Sequence, residues 1–408
     1  MSRPESPDML GIGFGPSNLA LAIALTERGV HGRFVDAQRR FGWHRDMLLP
    51  GSRMQIPFLK DLATLRNPQS AFTFVNYLNA RGRLIDFIGR HDVFPSRHEF
   101  HDYLQWAADQ FVADVQYGHR VVGVAAADTG FEVRLDSGEA IAAHTLVLGT
   151  GLHPVLPADT RPSRRQWHSH QLLSALAALG GLERGRFAVV GAGQSAAEVV
   201  AYLHHTYPKA EVHAVFSRYG YSLADDSAYV NRIFDPAAVD EFYGADSAER
   251  QRLLDYHRSA NYSAVDVDLI AELYSREYGE RVTGDRRLFM HRACAVGSVD
   301  EDDAEVRLGV RNLIDNTTET LHCDAVVYAT GYAPMDVPAF LGELASCYEF
   351  DAQGRPLATR DYRLVARPDA PGDIYLNGAT VEHSHGLGAT LLSNVAIRSG
   401  EIAAAISP

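Results

Sequence analysis

Two glycine clusters are the first residues whose type and spacing could do chemistry. Gly11-Ile12-Gly13-Phe14-Gly15-Pro16 and Gly191-Ala192-Gly193-Gln194-Ser195-Ala196 each follow a short apolar run and open an Ala-rich stretch. Glycines at such a turn let main-chain N–H groups approach a pyrophosphate, and the helix that follows adds a favourable dipole. Pro16 stands where a third glycine is common and suits a first helical turn. Ala196, in the third position of the second cluster, permits close packing of helix on strand. Asp36 lies 25 residues beyond Gly11, near the ~20 expected of an acid that binds ribose hydroxyls. The second cluster is followed by Ser217-Arg218 instead. An acid there would repel a 2′-phosphate, whereas an arginine can hold it, so NADPH is favoured over NADH. The plainer readings are a bare strand–helix turn and a solvated arginine. Two nucleotide sites without a CxxC pair point to a flavin with its nicotinamide reductant.

These residues require strands and helices to hold them. Residues 8–25 read as strand, glycine turn and helix, with Gly32–Asp36 as the next strand. Phe187–Leu203 repeats the design, with Ala210–Phe216 as its second strand. Such alternation argues for an α/β chain with two Rossmann-like, doubly wound parallel sheets. Thr145–Gly151 and Ala325–Tyr332 each look like a buried strand ending in Thr-Gly that leads to a crossover. The expected plan is an FAD-binding part at 1–157, an NADPH-binding part at 158–323, and a return to the first part with a C-terminal helix at 324–408. A small helical substrate-binding insert is placed at about 224–290. Within it, Asp235–Tyr243 reads as a short helix with Asp235 as N-cap and Pro236 in the first position. Ala248–Tyr262 reads as a second, amphipathic helix.

Composition narrows the partners. The 408 residues are 46% apolar and 22% charged, with a formal charge of −13, a balance that argues against nucleic acid. Three cysteines, Cys294, Cys323 and Cys347, give neither a disulfide scaffold nor a zinc ribbon nor a dithiol centre, and no metal site is expected. No apolar run approaches the ~18 residues of a membrane helix. The first seven residues lack a basic-then-apolar leader, so a cytoplasmic protein without a membrane partner is expected.

Further motifs carry a resemblance. They are Phe41-Gly42-Trp43-His44, Met54-Gln55 through Asn67-Pro68, Asp225-Asp226-Ser227 with Val230-Asn231 and Ile233-Phe234, Asn261-Tyr262-Ser263, Ala329-Thr330-Gly331-Tyr332, and His385-Gly386-Leu387 with Thr390-Leu391-Leu392-Ser393. With the two glycine clusters they span nearly the whole chain, which resembles the N-hydroxylating flavin monooxygenases of siderophore pathways, the L-ornithine and L-lysine N-monooxygenases. The wording Thr64-Leu65-Arg66-Asn67-Pro68 is similar to the ornithine branch. The resemblance implies that NADPH reduces FAD, that O2 then gives a C4a-hydroperoxide, and that the terminal amine of a basic amino acid is hydroxylated. L-Ornithine is the first expectation; L-lysine, a diamine or a non-catalytic nucleotide sensor are the alternatives.

Residue by residue, it implies that Gly11, Gly13, Gly15, Pro16, Asp36, Trp43 and His44 hold FAD. Gln55 would lie beside the flavin ring, the Val121 backbone near the adenine half, and Thr390, Leu391 and Leu392 at the pyrimidine edge. Gly191, Gly193, Gln194, Ser195, Ala196, Arg218, Tyr262 and Ser263 would hold NADPH. Lys60 would pair with the substrate carboxylate, and Asn231, Asn261 and Ser393 would contact the amino-acid head. No side-chain base is singled out among 18 histidines. The chain departs from the pattern at Gly388-Ala389, where relatives commonly carry Ser-Asp, and at Arg232 and Pro57. A homo-oligomer, dimer or tetramer, is expected by the same analogy.

Overall fold

The computed structural model describes residues 9–158 and 160–407. The leader reading on residues 1–7 lies outside the described residues. Two five-stranded parallel sheets form the frame. The first runs in the order Asp373–Leu376, Thr145–Leu148, Met9–Ile12, Arg33–Asp36, Val115–Tyr117. The second runs Leu288–Arg292, Glu211–Phe216, Arg186–Val190, Ala325–Tyr328, Gln166–His168. Their central strands, such as 145–148 and 325–328, are buried at every position, as a parallel sheet covered on both faces requires. The antiparallel sheet 121–126, 131–135 and 140–143 behaves differently: Phe131, Val133 and Leu135 point inward while Glu132 and Arg134 face solvent.

Helix Pro16–Glu27 starts with Pro16 in its first turn and is buried from Asn18 to Leu25. Helix Gln194–Thr206 likewise follows a glycine, Gly193, without a proline in its first turn. The two passages between sheets run side by side, Leu152–Pro154 pairing antiparallel with Tyr332–Pro334. The chain thus leaves and re-enters the first sheet's half through one ribbon.

Two expected boundaries are corrected. Ala325–Tyr328 pairs with Phe187–Val190, so the second half continues past 323 and the return begins at the ribbon. A buried apolar strand ending in Thr-Gly fits either sheet, and only the pairing decides. The helical insert ends before Leu288, because Leu288–Arg292 is the second sheet's edge strand. Asp235 is not an N-cap: Asp235 and Pro236 form a turn whose carbonyls accept from Ala238 and Val239, and the helix runs Ala238–Gly244. The following segment divides into Ser247–His257 and a 3-10 turn at Arg258–Ala260. Asp246 caps it by accepting from the Glu249 N–H, and no residue of it is fully buried.

Candidate active site

Three glycines of the first turn have three different duties. A Cβ at Gly11 would sit 2.2 Å from the Phe34 ring, so this glycine admits a core side chain. Gly13 has φ +85°, and a Cβ there would lie 2.5 Å from the Gly149 carbonyl oxygen. Gly15 precedes the helix and meets nothing within 4 Å, which leaves the helix N-terminus open. Asp36 is 8% exposed. One of its oxygens accepts from the Phe14 N–H at 2.6 Å and the other from the Gln38 N–H at 2.7 Å. Each oxygen keeps a further lone pair for a ribose hydroxyl.

The second turn is built alike. Gly191 has φ +140°, and a Cβ would lie 2.3 Å from the Ala329 carbonyl oxygen. Gly193 heads the helix, with Ser263 Cα 3.5 Å from where its Cβ would be. Arg218 donates to the Ser222 hydroxyl and to the Ser263 carbonyl, both at 3.0 Å.

Both turns open onto one cavity of about 3240 Å³, well beyond the ~300–1,000 Å³ that suits one drug-sized ligand. Gly13, Gly15, Pro16, Asp36, Trp43, His44 and Gln55 line it from the first half. Gly191, Gly193, Gln194 and Ser195 line it from the second, with Tyr262 and Ser263 beside them. Thr390, Leu391, Leu392, Lys60, Asn231, Asn261 and Ser393 complete the wall. Four expected residues are off the wall. Gly11 and Ala196 pack behind their turns, and Ala196 is fully buried. Arg218 lies exposed beside Ser217, which does line the cavity. Val121 heads the strand Val121–Ala126 of the antiparallel sheet and does not reach the wall. Bare helix N-termini at two glycine turns, facing one space, fit the pyrophosphates of FAD and NADPH.

Charged side chains line both halves of the cavity, Lys60, Arg97, Glu198, Asp266 and Glu382 among them. Lys60 makes no ion pair or side-chain hydrogen bond among the described residues. The neighbouring Asp61 carboxylate is taken up elsewhere, accepting from the N–H groups of Ala63, Thr64 and Phe74. Asn231 donates through Nδ2 to the Asp226 carbonyl at 2.7 Å, which leaves its amide oxygen free to accept. Asn261 reaches Thr390 Oγ1 at 3.4 Å. Ser393 is 3% exposed, in the turn Leu392–Asn394. His44 sits at φ +48°. Encirclement by protein, with Arg97 and His101 nearby, pulls its pKa down to about 4, so the ring is neutral near pH 7.

Arg97, Glu198, Asp266 and Glu382 were not named as site residues from the sequence. Arg97 forms a two-pronged ion pair with Glu198, both N–O distances being 2.8 Å, across the cavity from the first half to the second cradle's helix. Gln194 donates to Glu198 at 3.0 Å and to Asp266 at 2.9 Å, and Gln55 donates to Asp266 at 2.7 Å. Glu382 accepts from the Tyr262 hydroxyl. Burial pushes its carboxyl pKa up, against the pull of Tyr262, Thr390 and Arg258. Its place three residues before His385 was a usable hint; the Arg97–Glu198 partnership had none. A Cβ at the divergent Gly388 would meet Asn394 Nδ2 at 2.6 Å, so the missing side chain makes room for that amide.

Residues 5–334 match the family model for L-lysine 6-monooxygenase/L-ornithine 5-monooxygenase. The chain belongs to this family. An L-ornithine N(5)-monooxygenase of Burkholderia cepacia is 40% identical over 95% of this chain and 91% of its own. Among solved structures, the ornithine N-hydroxylase of Kutzneria sp. 744, described with reduced FAD, NADP+ and L-ornithine, is 41% identical. It superposes with a TM-score of 0.94 over 98% of this chain and 99% of its own. The L-lysine 6-monooxygenase of Pseudomonas syringae is 32% identical with a TM-score of 0.87, over 98% and 99%. The lysine and ornithine branches therefore share this frame. No helix among the described residues is long and apolar enough to cross a membrane.

Proposed function

We propose that this member hydroxylates the terminal side-chain amine of L-ornithine with FAD, NADPH and O2. The observation that carries the reading is Lys60, an unpaired cation on the wall that also bears Asn231, Asn261 and Ser393. A half-buried ammonium without a partner is costly, and a carboxylate entering from solvent relieves that cost. The neutral amides of Asn231 and Asn261 orient the amino-acid head without adding charge. With the head held, the side chain extends into the cavity, so the distance from Lys60 to the reacting end selects chain length.

FAD, when bound, supplies the reductive activation of O2; the chain supplies position, dryness and charge. Gly13, Gly15 and Asp36 would hold the first dinucleotide, with Thr390 to Leu392 on the wall beside it. Gly191, Gly193 and Ser195 hold the second, with Arg218 beside Ser217 for a 2′-phosphate. A free alkylamine, like Lys, has a pKa of ~10.4 and must lose its proton to act as a nucleophile. Desolvation of the amine at its reacting position, beside a wall where His44 is neutral, favours the uncharged form.

The test is a panel of ornithine, lysine, putrescine and cadaverine scored by hydroxylamine product. Ornithine should lead, and Lys60→Ala should raise its KM by about 10–100-fold, the value of a lost charge-assisted bond, with flavin reduction unchanged. A diamine as the best substrate, or an unmoved KM, would sink the carboxylate-pairing role.

A further inference from the structure

Behind the wall that joins the first glycine turn to the 387–392 segment lies a buried cation. Arg398, in the C-terminal helix Val395–Ile406, is 2% exposed. Every bond it makes goes to a neutral acceptor. Nε donates to Asn377 Oδ1 at 2.9 Å, Nη1 to the Ala389 carbonyl at 3.0 Å and the Gly388 carbonyl at 3.5 Å, and Nη2 to Ser17 Oγ at 3.1 Å. Asn377 continues the lattice, donating to the Ser17 carbonyl at 3.0 Å and to Asn18 Oδ1 at 3.1 Å. Asn18 in turn donates to the Gly13 carbonyl at 2.7 Å. One guanidinium therefore braces the start of the first cradle's helix against the segment carrying Thr390, Leu391 and Leu392.

Among the described residues no carboxylate pairs with it. Glu401, which faces it from the same helix, is held by Arg360 at 3.0 Å, and Tyr362 is the other titratable group near it. Burial pulls the Arg398 pKa down, yet a guanidinium stays charged in proteins. A buried charge without a counter-charge is costly, and neutral acceptors offset only part of that cost. Ser17 and Thr390 both face the cavity, so an anion bound there lies one residue layer from the guanidinium.

We infer that Arg398 is a positioning residue whose charge is balanced by the bound flavin dinucleotide: its buried guanidinium favours the anionic ligand while bracing the two wall segments that hold it. The inference rests on FAD as the first-cradle ligand. It makes flavin affinity, rather than stability alone, the property that depends on this side chain.

The experiment is FAD titration of the flavin-stripped full chain by flavin fluorescence, with melting temperatures taken with and without FAD. In Arg398→Met the FAD Kd should rise about tenfold or more, and the stabilisation conferred by FAD should shrink with it. Arg398→Lys retains a cation but not the fork, so its Kd should rise less than that of Arg398→Met. A purely structural role would lower both melting temperatures together and leave Kd unmoved, which overturns the inference. So would an Arg398→Lys chain that loses affinity as fully as Arg398→Met. If Arg398→Met yields no folded chain, Arg398→Gln takes its place, and the same ordering of Kd against Arg398→Lys decides. A native chain that binds no FAD removes the flavin reading itself, and the inference with it.

Discussion

The first glycine turn is tied from behind, and the second is tied from the front. Asn18, Asn377 and Arg398 grip the first cradle through buried polar bonds on the side away from the cavity. The second cradle's polar ties, Glu198 to Arg97 and Gln194 to Asp266, run along or across the cavity itself. Buried bonds that no ligand must displace keep a site preorganised whether or not it is filled. Bonds across a cavity hold two halves in register only while they remain closed. The first cradle is thus held by bonds that no ligand displaces, and the second by bonds that border the ligand space.

The largest test of this contrast is within the turns. Gly13→Ala and Gly191→Ala each force a Cβ onto a backbone oxygen at positive φ, at 2.5 and 2.3 Å, and each should cost about 3 kcal/mol or more. Gly15→Ala, with open space at its Cβ, should keep the melting temperature and weaken only FAD binding. Equal melting temperatures for Gly13→Ala and Gly15→Ala would break the distinction between a structural and a ligand-facing glycine.

Acid probes both halves at once. Burial holds His44 and His385 of the first half, and His168 of the second, to pKa values of about 4 against an ordinary 6.5. These rings fold neutral, so their contribution is complete above about pH 6.5 and is lost as pH falls through about 4. The melting temperature should decline by several degrees over that window; a flat profile would contradict it.

A smaller effect is expected from the bond across the cavity. Arg97→Ala or Glu198→Ala removes a pair that is 13% and 11% exposed, worth about 1.5–3 kcal/mol for a charge-assisted bond. Hydride transfer from NADPH to flavin should slow more than NADPH affinity falls, since both cradles survive but their register loosens. The double exchange Arg97→Glu with Glu198→Arg should recover part of the rate. Slowed binding with unaltered reduction would instead place the pair in nucleotide capture.

The smallest change belongs to Arg218. Arg218→Ala should erode the preference for NADPH over NADH by about tenfold, a loss of ~1.4 kcal/mol at an exposed phosphate contact. An unaltered cofactor ratio would refute its role. Since the guanidinium is already held by Ser222 and Ser263, Arg218→Lys should recover the charge but not the fork.

Much of this was legible in local pattern. Glycine spacing, Pro16, Asp36 and Ser217-Arg218 announce the two cradles because turn chemistry and strand–helix periodicity are properties of neighbouring residues. Lys60, Asn231, Asn261 and Ser393 could be named only through family likeness, since a lone lysine or asparagine has no local signature. The sheet that Ala325–Tyr328 would join was not readable either, because an apolar strand states its burial and not its partner. Arg97 meets Glu198 across 101 residues and Arg398 meets Ser17 across 381. The chain alone determined that two dinucleotide turns would form, as each is assembled from adjacent residues. Only tertiary packing decided which distant charges would be paired, which left unpaired, and which side of each turn would carry its ties, because the partners of a buried polar group are set by whatever the fold brings beside it.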